Sequence, residues 1–169
     1  MSEHTGTAIR CDSMEESEFK ITLQSIGEVE GASVVNRRAS LKAYGKPVQV
    51  DMTVRVVPDL DKSTVSLVVT ASYIVQGKVM RERLLTCSSF ATFEIQDLRC
   101  HVEVNGEDVV VGGHLMMMML GIAVGALRGI IAVRIAGTPL SNRPLPIIDL
   151  TALMYRLRYG TTPSATFRT

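Results

Sequence analysis

The residues able to carry chemistry are few and scattered. The histidines are His4, His101 and His114, and the cysteines are Cys11, Cys87 and Cys100. A zinc site needs three or four such ligands at recognisable spacing, and neither a CxxC pair nor a paired-histidine motif occurs. An odd cysteine count without that spacing suits a reducing compartment, with each thiol acting as a small inert hydrophobe. There is no P-loop and no GxSxG elbow, so the phosphate cradle and the strained nucleophile turn are both missing. The carboxylate pairs Asp59 with Asp61 and Glu107 with Asp108 fall among turn residues and read as solvent-facing. No catalytic residue, metal ligand or cofactor site is assigned, and the chain reads as a non-enzyme.

The whole chain sets further bounds. Its 169 residues suit one compact domain, and 46% hydrophobic against 21% charged residues is enough apolar material for a real core. A formal charge of +1 lacks the basic footprint that drives nucleic-acid binding. Residues 1–10 are polar, without the basic start and apolar stretch of a secretory signal, so a cytoplasmic location is expected.

Positioning elements follow from periodicity. Phe19, Ile21 and Leu23 alternate with polar residues until the phase slips at Ser25 and Ile26, which predicts a bulged first strand ending near Glu30. Residues 31–46 show no clear period and read as a long crossover carrying Val34, Val35, Leu41 and Tyr44. Val48, Val50, Met52, Val54 and Val56 then alternate with polar residues, giving the clearest amphipathic strand. Turns at Pro58 to Asp61 and at Gln76 to Lys78 deliver a third strand, with Val65, Leu67, Val69, Ala71 and Tyr73 on one face, and a fourth over residues 84–96. Short links between consecutive strands mean an antiparallel meander. Residues 97–113 form a connection with a turn at Asn105 and Gly106.

Residues 115–135 follow a helical pattern that is apolar on every side. Thirteen uncharged residues, LMMMMLGIAVGAL, precede Arg128, and a membrane span of about 20 residues would have to bury that arginine. A buried soluble helix is the better reading, and no membrane insertion is expected. Met116, Met119, Ala123, Leu127 and Ile130 share one face; Met118, Gly121, Gly125 and Gly129 share another, with Arg128 at its margin. One sheet covers one face, so a second copy of the chain is expected over Met118, Gly121, Gly125, Arg128 and Gly129, where the glycines admit a close backbone. Prolines 139, 144 and 146 then force an extended link, and Asp149 caps a short helix over residues 150–159. The expected architecture is α+β: a four-stranded antiparallel sheet with a long helix packed on it and a short C-terminal helix. Residues 1–18 form a polar tail, 19–159 a single domain and 160–169 a flexible tail.

This order of elements resembles the SecB family of export chaperones. The resemblance is carried by ALRGIIAVRIAGTPLSNRPLPIIDLTALM over residues 126–154, where Arg128, Gly137, Pro146, Asp149, Ala152 and Leu153 match the family pattern; Phe93 and Ile95 near the end of the fourth strand also match. It implies a SecB-like fold, a homotetramer built as a dimer of dimers, and ATP-independent holdase activity toward unfolded polypeptides. The implied polypeptide-binding groove draws on Val34, Val35, Leu41, Tyr44, Leu153, Met154 and Leu157. Protein export with handover to SecA and service to a dedicated client such as an antitoxin both stay open. Positions that are acidic on the family's sheet fall near Ile26 and Thr86, with Glu30 the single match, and the tail ends in Arg168 instead of acidic residues. The alternative is a non-catalytic adaptor that holds one folded partner.

Overall fold

In the computed structural model, the described residues are 20–31, 33–43, 45–76, 81–105, 108–159 and 164–168. The expected polar tail at residues 1–18, with His4 and Cys11, lies outside them, as do Tyr44, Gly77, Lys78, Gly106 and Glu107.

Strict alternation produces the sheet. Strand β1 is Ile21–Glu28, β2 is Val34–Val35, β3 is Val48–Asp59, β4 is Thr64–Gln76 and β5 is Arg81–Ile95. The strands β3, β4 and β5 form the expected antiparallel meander, and the long crossover lets β1 reach the far side and pair with β5. On β4, Val65, Leu67, Val69, Ala71 and Tyr73 are fully buried, while Ser66, Val68, Thr70 and Ser72 alternate with them on the half-wet face. The β1 phase slip lies between Leu23 and Ser25, close to its expected place. A second irregularity opposite Tyr73 and Ile74 lets both Leu84 and Leu85 turn inward.

Helix α2, Gly113–Ile135, lies across the buried face of this sheet. It lands on small side chains: Ala71, Cys87, Ser89 and Ala91 are all fully buried, and the Ser89 hydroxyl donates to the Ala123 carbonyl at 3.3 Å. Met119, Leu120, Ala123, Leu127 and Ile131 complete the seam with no exposed surface. Helix α2 is long and apolar enough to cross a bilayer by length and composition; here one side of it is the lid of the sheet. Helix α3, Leu150–Tyr159, packs against α2. The fold is α+β, an antiparallel sheet carrying a long helix and a short C-terminal one.

Four features depart from the sequence reading. The aperiodic crossover contains the six-residue helix α1, Arg37–Lys42, because Asn36 caps it by accepting from the Ala39 N–H at 3.0 Å. The connection after β5 folds into a separate hairpin, β6 (Val102–Asn105) with β7 (Asp108–Val111), and Asn105 pairs with Asp108 at its tip. Where a flexible tail is expected, Ser164–Arg168 is strand β8, paired antiparallel with residues 49–53 of β3. An unpaired edge leaves backbone groups unsatisfied, and the tail fills part of it; the sheet thus has six strands where four are expected. Finally, Cys100 is disulfide-bonded instead of an inert thiol. It is exposed on the short 3-10 helix Leu98–His101, whereas Cys87 is the buried free thiol expected.

One ion pair straps β1 to the far end of α2. Arg134 Nε and Nη2 donate to the two Glu28 oxygens at 3.0 and 2.6 Å. The Arg134 guanidinium, helped by Ser33, holds the Glu28 carboxyl below the usual carboxylate range. Stability from such a group is present above its unfolded pKa of about 4.3 and is lost as pH falls through the lower folded value. Acidification from about pH 6 to about pH 3 should therefore lower the melting temperature of the wild type more than that of Glu28→Gln. The difference should be small and salt-sensitive, because Arg134 is half exposed. Parallel melting curves at every pH would show that the strap contributes nothing.

Candidate functional site

The sequence-derived site residues divide into those the fold exposes and those it buries. Val34 and Leu41 are 63% and 66% exposed, unusual values for aliphatic side chains on ordered elements. Val35 is half-buried and packs on the core, as does Met154, and Leu153 is a fully buried core residue. Tyr44 and the side chain of Leu157 lie outside the described residues.

What positions the exposed pair is the crossover. Val34 and Val35 pair with Thr86 and Leu85 of β5, and the Asn36 N–H donates to the Leu84 carbonyl at 2.7 Å. The crossover is thereby pinned to the sheet just before α1 begins. The Ser40 hydroxyl then returns a 2.7 Å bond to the Asn36 carbonyl, and Ala39 and Ala43 bury their small side chains. Small inward residues let α1 sit low, while Leu41 stands clear.

The opposite wall is the link from α2 to α3. Gly137 has φ +68°, a left-handed conformation suited to glycine that turns the chain just past the helix end. The Thr138 hydroxyl donates to the Ile135 carbonyl at 2.7 Å and accepts from the Leu140 N–H at 3.2 Å. Prolines 139, 144 and 146 supply no N–H groups of their own, so the link is held by its side chains and by arginines. Leu140, Leu145 and Ile148 are buried as anchors, whereas Ile147 between them is 93% exposed. Arg143 Nη2 reaches over to the Lys46 carbonyl at 2.8 Å, and Arg128 Nη2 donates to the Pro146 carbonyl at 3.1 Å. Asp149 ends the link by accepting from the Thr151 and Ala152 N–H groups at 2.9 and 3.0 Å, the expected cap of α3.

Between the two walls lies an open cavity of about 630 Å³, lined by Ser40, Ala43, Gly45, Pro139, Leu140, Asn142, Arg143, Pro144 and Pro146. Its lining combines the apolar surface of Ala43, Leu140 and three prolines with the polar Ser40, Asn142 and Arg143, and the Arg143 to Lys46 bond bridges it. The prolines and Ile147 were not picked out from the sequence as binding residues; the signal available was a run of prolines separating alternately buried and exposed aliphatic residues.

The residues expected to meet another copy are also placed. Gly121 faces α3 of its own chain, where an added Cβ would lie 3.6 Å from Leu150 Cδ1. At Gly125 and Gly129 an added Cβ would meet nothing within 4 Å among the described residues. Met118 and Arg128 are half-buried, and the Arg128 bond to Pro146 makes it a brace of the link. The neighbouring Met117, Ile122 and Val133 are exposed, so α2 keeps an uncovered apolar face in the single chain.

Elsewhere, His101, His114, Glu103 and Cys100 line an open cavity of about 510 Å³ at the start of α2. Among the described residues no three are placed to hold a metal ion. Cys87 accepts a hydrogen bond from the Ser33 hydroxyl at 3.2 Å, and burial pushes its thiol up, away from the nucleophilic thiolate. The Tyr73 hydroxyl is buried without a hydrogen-bond partner among the described residues, and desolvation drives it well above its usual range.

No family model matches the chain, and no curated protein matches it. Among solved structures it is similar to a SecB-like chaperone of Mycobacterium tuberculosis in complex with a peptide from an antitoxin. That likeness has 15% identity and a TM-score of 0.47, covering 76% of this chain and 91% of that one.

If Arg128 braces the link, Arg128→Met should keep the packing of its stem but lose the charged bond to Pro146. The expected cost is about 1–3 kcal/mol in urea unfolding, with faster proteolysis near Ile147. An unchanged midpoint and cleavage pattern would remove the brace.

Proposed function

We propose that this protein is an ATP-independent holdase that binds non-native polypeptide in the groove between α1 and the proline link. The observation that carries this reading is the set of aliphatic side chains left standing in solvent on the crossover and the link, Val34, Leu41 and Ile147, the same two segments that form the walls of the open cavity, although none of the three lines it. Exposed aliphatics on ordered elements are accounted for if an extended apolar chain covers them. The resemblance of residues 126–154 to the SecB family points the same way.

A dedicated client, an antitoxin being one kind, is favoured over general export with handover to SecA. What supports this choice is Thr86, near a position that is acidic in the SecB family, which here presents a hydroxyl bonded to Ser72 at 3.4 Å, while the carboxylates of that face are Asp51 and Glu94. The site of action in this reading is the cytoplasm, and the working form is a homo-oligomer, a tetramer in the SecB arrangement. Support for the oligomer comes from the apolar face of α2 at Gly125 and Gly129, over which no described residue lies.

Two experiments test the two parts. Leu41→Asp and Ile147→Asp should each weaken binding to a reduced, unfolded polypeptide by about tenfold or more, since each removes roughly 1.5–3 kcal/mol of apolar burial in the complex. Stability should hold within about 0.5 kcal/mol because both sites are exposed. A wild-type protein that ignores unfolded polypeptide but captures one folded partner would establish an adaptor instead. For the oligomer, Gly125→Leu should leave the fold of the single chain intact and shift the light-scattering mass toward monomer, with association weakened by at least about tenfold. An unchanged mass would place the interface elsewhere.

A further inference from the structure

A formal charge of +1 conceals a split along the chain. After Asp108 the sequence holds six arginines and, apart from Asp149, no carboxylate; residues 31–50 hold Arg37, Arg38, Lys42 and Lys46 and no carboxylate at all. These two stretches supply both walls of the groove between α1 and the proline link. We propose that the groove recognises an extended polypeptide segment whose aliphatic residues are flanked by carboxylates, the aliphatics meeting the exposed apolar side chains and the carboxylates meeting the cations of the walls. The inference rests on the polypeptide-binding reading above and names the class of client that the site selects.

Three observations carry it. First, the cations sit at the cavity itself. Arg143 lines it, and the 2.8 Å bond from its Nη2 to the Lys46 carbonyl sets Lys46 beside it, next to the lining residue Gly45. Arg37 precedes Ser40 by three residues on α1, which makes it the helix-surface neighbour of another lining residue. Arg128 reaches the carbonyl of Pro146, also in the lining, at 3.1 Å.

Second, the bonds these cations make leave their charge unanswered. Arg143 and Arg128 donate to neutral carbonyl oxygens, which orients a guanidinium without neutralising it and uses one of its five N–H donors. Both are half-buried, where a charge is screened less than on the open surface. The carboxylate of the link, Asp149, is engaged by the Thr151 and Ala152 N–H groups at the start of α3. Cations elsewhere have a carboxylate of their own chain: Lys62 has Asp59 at 3.2 Å, Arg99 has Asp61 at 3.6 Å and Arg134 has Glu28.

Third, charge and apolar surface are interleaved on both walls. Leu41 follows Arg37 by four residues, so the two exposed side chains are neighbours on the outer side of α1. On the link, the exposed Ile147 directly follows the Pro146 that Arg128 holds. A polyanion such as a nucleic acid has nothing for the aliphatic half of this pattern, and a purely aliphatic segment has nothing for the cationic half. A segment with both kinds of residue answers both.

The test uses the full chain and two fluorescein-labelled peptides that share one Leu-Val-Ile core and differ only in the residues flanking it, all Glu in one and all Lys in the other. Binding is read by fluorescence anisotropy. At about 50 mM salt the Glu peptide should bind about tenfold or more tightly than the Lys peptide, and at about 500 mM the gap should shrink to about threefold or less as the charges are screened. Arg37→Glu with Lys46→Glu should reverse the preference; Arg37 opens α1, where a carboxylate suits the helix dipole. Lys20→Glu with Lys62→Glu makes the same change in net charge at the far end of the sheet, where Lys20 bonds Gln96 and Lys62 turns β3 into β4, and should leave the preference in place. Equal binding of the two peptides at low salt would overturn the charge selection and leave the groove reading standing. Binding of neither would overturn both. A Glu preference that survives the Arg37 and Lys46 reversal would overturn the assignment to these walls. A single-stranded oligonucleotide that binds as tightly as the Glu peptide, and is lost in the same variant, would give the cations to nucleic acid and overturn the client class. Should the reversal variant fail to fold, Arg37→Gln with Lys46→Gln takes its place, with the low-salt preference expected to fall to about threefold or less.

Discussion

A helix that is apolar on every side has to be covered twice, and that demand organises this molecule. Helix α2 meets it once within the chain, by lying on a bed of small residues on β4 and β5. Alanine, serine and cysteine under Ala123 let the helix axis come close, and the larger Met119, Leu120, Leu127 and Ile131 fill the space to either side. The closeness is visible in the Ser89 bond to a helix carbonyl, which a bulkier strand residue would prevent. The second cover is only partly supplied. Leu150 of α3 reaches Gly121, but no described residue covers Gly125 or Gly129, and Met117, Ile122 and Val133 stay exposed. A single chain thus satisfies half of the constraint and leaves the other half as a reason to assemble.

The groove is a by-product of how the chain returns from that helix. The link runs back beside α2 without regular secondary structure, because three prolines deprive it of ladder donors. It is therefore held by point contacts: buried Leu140, Leu145 and Ile148 below, Arg128 from the helix and Arg143 to the crossover. A segment fixed at points cannot close tightly against α1, and the space left over becomes the cavity. Alternate burial along a link of this kind also turns an occasional aliphatic residue outward, as at Ile147. The same local rule produces both the stability of the link and the apolar surface that a client could cover.

Much of this was legible where one periodicity held without interruption. Val48 to Val56 and Val65 to Tyr73 could be read as strands because a half-wet sheet imposes a period of two, and the cap at Asp149 followed from local hydrogen bonding alone. The features missed are those too short to show a period. Helix α1 has six residues, and its marker was Asn36 standing before two buried alanines four apart. The β6–β7 hairpin has four residues on each strand, so its alternation is lost among the polar residues of the turn. Strand β8 was invisible for a different reason: a segment on a sheet edge is selected by backbone pairing, which leaves little trace in side-chain types. The candidate groove suffered in the same way. Val34 and Leu41 stood out as aliphatic residues in a segment without a core face, whereas Leu153 has the same chemistry and belongs to the core. Hydrophobicity alone does not separate a residue that fills the interior from one that waits for a partner.

The two faces of the sheet differ in how their side chains are satisfied: the inner face is covered by α2, and the outer face pairs its hydroxyls across strands. On the outer face Ser66 bonds to Thr92 at 3.0 Å, Thr70 to Ser88 at 2.7 Å and Ser72 to Thr86 at 3.4 Å. Each hydroxyl has its partner on the neighbouring strand, so the face keeps strand-favouring side chains without leaving donors or acceptors unsatisfied. A partner docking there would have to break pairs that already exist or bury them for little gain.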